Sequence, residues 1–103
     1  MAFKNVTLSL PAALTTVYTC PAGKEAVIHA IFVTPLVDDT TVTIKAGSPG
    51  NTGHVGKDIP LVAGGSLYYP KPVNLAENEI IEAQTVTNDD CEIFLSILEQ
   101  AQS

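Results

Sequence analysis

The stretch that most constrains this chain runs from Tyr18 to Thr34. Its first part, Tyr18-Thr19-Cys20-Pro21-Ala22-Gly23-Lys24-Glu25, reads as a tight corner. Pro21 fixes φ and removes a donor, and Gly23 can take the positive φ that such turns need. Beyond it, Ala26-Val27-Ile28-His29-Ala30-Ile31-Phe32-Val33-Thr34 is the longest β-rich run of the first half. Strict alternation would put Ala26, Ile28, Ala30 and Phe32 on one face and Val27, His29, Ile31 and Val33 on the other. Both faces are then apolar, which predicts a strand covered on both sides, central in its sheet or lying between subunits.

Around this strand the chain reads as short β segments separated by turns. Phe3 to Leu10 alternates until Pro11, and Leu14 to Thr19 is β-branched and aromatic. After a turn at Pro35 to Asp39, Thr40 to Ala46 alternates polar with apolar, predicting a half-exposed strand. Gly47 to Asp58 holds four of the seven glycines and is expected to be an exposed loop. Ile59 to Val62 and Ser66 to Tyr69 flank Ala63-Gly64-Gly65 and read as a hairpin pair. Pro70 and Pro72 confine Val73 to Leu75 to an edge. Glu79 to Thr85 and Cys91 to Leu98 flank an Asx-type turn at Thr87 to Asp90 and give the last two strands. A helix over Asp90 to Ala101 is rejected, because Cys91, Ile93, Leu95 and Ile97 alternate with Glu92 and Ser96. About eight such strands predict an all-β fold: one antiparallel β-sandwich domain over residues 1–103, jelly-roll-like. Residues 1–10 form its N-terminal strand or arm, and residues 99–103 a flexible tail.

Composition bears on partners. Charged residues are 16% of the chain and hydrophobic ones 46%, so an isolated subunit is short of polar groups to cover its surface. That predicts self-association, and taken together with the resemblance given below the expected form is a homotrimer. With a net charge of -6 and only five Lys and Arg, the chain lacks the clustered positive charge that phosphate backbones require, which argues against nucleic acid. No apolar run approaches the roughly 20 residues that span a bilayer, so no membrane partner is expected. The Met1 to Val6 segment lacks the apolar core of a signal peptide. Cys20 and Cys91 then read as small buried hydrophobes rather than a disulfide.

No catalytic constellation emerges. His29 and His54 lie near no other ligand type in sequence and read as a packed strand residue and a solvated loop residue. The pairs Asp38-Asp39 and Asp89-Asp90 fit turn chemistry better than a calcium loop. Glu77, Glu79, Glu82 and Glu92 read as solvated faces. The expectation is therefore no enzyme, no metal and no cofactor. Tyr68 and Tyr69 are adjacent in a strand and point to opposite faces, so at most one could stack on a sugar. A carbohydrate-binding module is accordingly an alternative only.

The run from Val17 through Cys20-Pro21-Ala22-Gly23-Lys24-Glu25 to Val27 is followed by Ile31-Phe32-Val33-Thr34, by Ala63-Gly64-Gly65-Ser66-Leu67, and by Asn74-Leu75-Ala76-Glu77-Asn78-Glu79-Ile80-Ile81. That order resembles small virion proteins of tailed bacteriophages, over about Thr15 to Leu98. One departure is Val33-Thr34-Pro35, where the resemblance would lead one to expect Val-Thr-Asn. The resemblance implies a β-sandwich that assembles on the particle and carries no catalytic residues. Its expected role is a capsid decoration (cement) protein, made in the bacterial host cytoplasm and seated on the capsid surface, with the major capsid protein as partner. A tail, baseplate or fibre component is the alternative. Partner contacts are expected from Phe3 and Lys4 of the N-terminal segment, from Pro49, Asn51, His54 and Lys57 of the glycine-rich segment, and from Tyr68 and Tyr69, with the capsid-facing ones at one end of the sandwich, in the glycine-rich and N-terminal segments.

Overall fold

The computed structural model describes residues 2–86 and 91–102, so the turn expected at Thr87 to Asp90 lies outside the described residues. Nine strands follow in chain order: β1 (Ala2–Leu10), β2 (Thr15–Thr19), β3 (Lys24–Pro35), β4 (Thr40–Ser48), β5 (Asn51–Leu61), β6 (Leu67–Tyr69), β7 (Val73–Leu75), β8 (Ile80–Thr85) and β9 (Cys91–Ala101). Sheet A has the order β1-β9-β3-β6, with β7 also paired to β3, and sheet B the order β2-β8-β4-β5. All pairs are antiparallel. The chain is an all-β sandwich, as its alternating pattern predicts.

The core lies between the sheets. Ile28, Ile31, Val33, Ile93, Leu95 and Ile97 from sheet A meet Val42, Ile44, Ile81 and Ala83 from sheet B, all fully or almost fully buried. These residues fall at every second position because a strand turns successive side chains to opposite faces. The corner at Pro21 forms as expected: Gly23 takes φ 75° and the Lys24 amide donates to the Pro21 carbonyl at 3.2 Å. That is the hydrogen bond of a type II turn with glycine at its third position.

Four expectations are corrected. The alternation through β3 is broken: Ile28 pairs with Ile97 and Ala30 with Ser96, so His29 is the extra residue of a β-bulge. The bulge advances the pattern by one, and the inward residues change from Ala26 and Ile28 to Ile31, Val33 and Pro35. The strand is therefore covered on one face in the single chain, with His29 and Phe32 exposed on the other.

The segment Gly47 to Asp58 is not a loop. It is the end of β4 and most of β5, joined through Pro49 and Gly50, the latter at φ 80°. Glycine and proline are tolerated there because β5 is an edge strand, where one side of the backbone needs no partner. Its ladder slips twice, and Asp58 takes φ 49° with its amide donating to Thr43 Oγ1 at 3.0 Å.

Ile59 to Val62 and Ser66 to Tyr69 do not pair with one another. The first belongs to β5 in sheet B, and the second forms β6 against β3 in sheet A. The turn at Gly64 and Gly65 is present, with the Gly65 amide donating to the Val62 carbonyl at 3.0 Å, but it carries the chain between sheets. Finally, residues 99–101 are not a tail. β9 continues to Ala101 opposite Lys24, and the Gln102 amide donates to the Gly23 carbonyl at 3.1 Å.

Candidate functional site

Register fixes what stands on the outer face of sheet A. Across the strands β1, β9, β3 and then β7 or β6, one row reads Phe3, Leu98, Val27 and Asn74, and another reads Thr7, Phe94, Phe32 and Tyr68. Between them lies Asn5, Ser96 and Ala30, with the bulged His29 beside Phe3 at a ring separation of 6.2 Å. Phe32 stacks on Tyr68 with centroids 4.9 Å apart and 18° between planes, and meets Phe94 edge-on at 6.0 Å. Such pairs are worth about 0.5–1.5 kcal/mol beyond the area they bury. Even so, Phe3 is 80% exposed and Tyr68 56% exposed. Glu92 is the one carboxylate in the rows that run across β1, β9 and β3 from Phe3 to Ser9. On a chain of charge -6, these rows carry few charges and four exposed aromatic rings.

At the end of the face near Leu75, residues Glu25, Val27, Asn74 and Gln100 border an open cavity of about 360 Å³. Gln100 Nε2 donates to Glu25 Oε1 at 2.8 Å, which holds the carboxylate against the cavity wall.

A second polar group lies inside the same end of the sandwich. Tyr18 of sheet B donates its hydroxyl to Glu99 of sheet A, and Lys4 Nζ lies 3.8 Å from Glu99 and 5.8 Å from the centre of the Tyr18 ring. Burial, reinforced by the Glu99 carboxylate, pushes the Tyr18 hydroxyl well above the usual phenol range. The Cys20 thiol is raised for the same two reasons, burial first.

The residues predicted to make contacts are divided between the two sheets. Phe3 and Tyr68 share the outer face of sheet A, whereas Lys4 and Tyr69 stand on its inner side, Tyr69 packed on the core. Pro49, Asn51, His54 and Lys57 lie on the β4–β5 hairpin at the edge of sheet B, all exposed. A sugar platform built from both tyrosines is thus not formed, because they face opposite ways and Tyr68 is already stacked on Phe32.

Phe32 and Phe94 are absent from the predicted set. Phe94 was legible, since it is the one apolar residue among the outward positions Glu92, Phe94 and Ser96. Phe32 was hidden by the bulge, which moves it to the outer face.

The remaining polar candidates have local tasks. Asp39 Oδ1 accepts from the Ala63 amide at 2.9 Å, Glu77 Oε1 from the Gly23 amide at 3.3 Å, and Glu79 Oε1 from the Ala76 amide at 2.8 Å. Glu82 Oε2 accepts from the Thr52 hydroxyl at 3.1 Å. Among the described residues no group of three His, Cys, Asp or Glu is placed to hold a metal ion. Cys20 and Cys91 are buried and not joined in a disulfide. They lie at opposite ends of sheet A: Cys91 stands across from Leu10 and Pro35, and Cys20 beside the Lys24 carbonyl.

The fold and this face define a β-sandwich with one uncovered apolar sheet surface. No known family's sequence profile matches the chain, and neither does any curated protein. One solved structure is similar in fold, from work describing Bacillus endospore appendages as a novel family of disulfide-linked pili. It superposes with a TM-score of 0.58 at 15% identity, covering 99% of this chain and 87% of the other.

Proposed function

We propose that this chain is a non-enzymatic structural subunit of a bacteriophage virion, a decoration protein that binds the assembled capsid shell as a homo-oligomer and stabilises it. It is made in the host cytoplasm and resides on the capsid surface. The observation that carries this reading is the outer face of sheet A, where Phe3, Phe32, Tyr68 and Phe94 meet solvent in rows that carry few charges. Contiguous exposed apolar patches mark contact surfaces, and on a chain this acidic one with few charges is where another protein docks at least electrostatic cost. The resemblance to small phage virion proteins supports the setting. Fold likeness to a pilus subunit supports a role as one unit of an assembly.

Adhesion is the whole mechanism. A protein that binds the assembled shell and not its dispersed subunits stabilises the shell by mass action. The appendages of the structural neighbour are described as disulfide-linked. Here both thiols are buried, so contacts between copies rely on surface complementarity.

The test is co-sedimentation of the purified chain with empty capsid shells. Saturable binding, lost when Phe32 and Tyr68 are both changed to Ser, supports the reading; no binding to shells overturns it. The pilus-like neighbour favours one second reading, a tail or fibre component. A gold label on the chain that decorates tails and leaves capsids bare would establish it.

A further inference from the structure

Each sheet ends in strands whose outer N–H and C=O groups lack a partner, and natural sandwiches blunt such edges with bulges, prolines, glycines or charges. Three edges here are treated in that way. The ladder of β2 slips between Thr16 and Tyr18. Edge strand β5 slips twice and contains Gly53, Gly56 and Pro60. The far edge of sheet A is cut into two three-residue strands, β6 and β7, separated by Pro70 and Pro72.

Strand β1 is different. Its nine residues pair with β9 in unbroken register, with no proline, glycine or positive φ. Its single charge, Lys4, lies near one end and is drawn inward toward Glu99. Asn5 to Ser9 therefore forms an unprotected edge. Val6 and Leu8 face the inner side of sheet A and pack against the core yet are only half-buried, and among the described residues no strand lies beyond this edge.

We propose that Asn5 to Ser9 pairs antiparallel with the same segment of a second copy, about a two-fold axis at Thr7, joining two sheets A into one continuous sheet. The segment is self-complementary in this register. Val6 of one copy meets Leu8 of the other on the inner side, covering the two half-buried side chains, and Asn5 meets Ser9 on the outer side. No ionisable residue lies among these five, so two chains of charge -6 approach without setting carboxylate against carboxylate. Edge-to-edge pairing is two-fold by construction, so this geometry builds a dimer where composition and resemblance led to a trimer. It goes beyond the decoration reading and leaves the aromatic face free for the shell.

The test is the mass of the full-length chain by light scattering at micromolar concentration. The wild-type chain should have the mass of two copies. Thr7 is exposed, so Thr7→Asp and Thr7→Lys should each keep the circular dichroism and melting of the fold. Each sets like charges across the axis and should weaken the dimer at least tenfold, whereas an equimolar mixture of the two should restore it. Phe94→Ser, on the outer face, should leave the dimer intact. A wild-type monomer, a mass of three copies, a dimer unchanged by Thr7→Asp, or a dimer abolished by Phe94→Ser would each overturn the pairing. None of these outcomes depends on whether shells are bound.

Discussion

The hydroxyl of Tyr18 lies 2.5 Å from Glu99 Oε2, a hydrogen bond that ties β2 of one sheet to β9 of the other. Tyr18 is 5% exposed, so the donor end of this part-buried bond is shielded from water, and the ring packs on the core. Hydrogen bonds to charged groups contribute about 1.5–3 kcal/mol. Replacing Tyr18 by Phe keeps the ring and removes the donor. A loss of about 2 kcal/mol is expected in urea unfolding, with a fall in melting temperature of roughly 10 °C. A variant as stable as the parent would show that the bond contributes nothing net.

The same group predicts an alkaline limit. Folding raises the pKa of the Tyr18 hydroxyl above its ordinary 10.0 and that of the Cys20 thiol above 9.0. The folded chain thus keeps protons that the unfolded chain releases, so stability falls as pH rises from about 9. A unit or more below that pH both groups are protonated in both states and give no slope. Denaturant titrations between pH 8 and 11 should show this decline, and Tyr18→Phe should make it shallower.

Adjacent residues of β9 should behave oppositely. Leu95 is fully buried between the sheets, and Leu95→Ala should cost about 2–5 kcal/mol. Phe94, next to it, faces outward, and Phe94→Ser should cost about 1 kcal/mol, chiefly through its lost ring contact with Phe32. Equal losses at the two positions in chemical denaturation would contradict the assigned faces.

Two glycines separate backbone demand from space. Both Gly23 and Gly53 have room for a Cβ, but only Gly23 has positive φ, 75°. Gly23→Ala should destabilise by about 1–2 kcal/mol, while Gly53→Ala should be neutral or slightly stabilising. Thermal melts of the two variants side by side decide this.

Cys20 and Cys91 should react slowly with a thiol reagent in the folded chain and quickly in urea, since both are buried. Adding reductant should leave the melting temperature unchanged. A reductant-dependent melt would mean that the thiols are oxidised in solution.

Most of the sandwich was legible because burial imposes a period of two, and β1, β4, β8 and β9 display it. Failures came where local chemistry and pairing disagree. Glycine and proline in β5 read as a loop, since sequence shows backbone preference but not that one side of a strand needs no partner. At His29 the apolar residues on both sides concealed a one-residue slip, which only pairing with β9 exposes. Likewise, Ala63-Gly64-Gly65 announces a turn and is silent on which sheet receives the next strand. The exposed aromatic face was half legible: Phe3 and Tyr68 stand out in sequence, while the ladder that joins them to Phe94 and Phe32 needs the register.

Strand β9 lies between β1 and β3, so sheet A cannot be assembled in the order in which it is synthesised. Until Cys91 to Ala101 has emerged from the ribosome, β1 has no neighbour in its own sheet, and its apolar residues wait unpaired through the 80 residues between Leu10 and Cys91. Closing that long loop is entropically costly, which places the chain among the slow, millisecond-to-second folders. A chain that stops short of β9 would leave Val6 and Leu8 without the strand they pack beside and open to solvent.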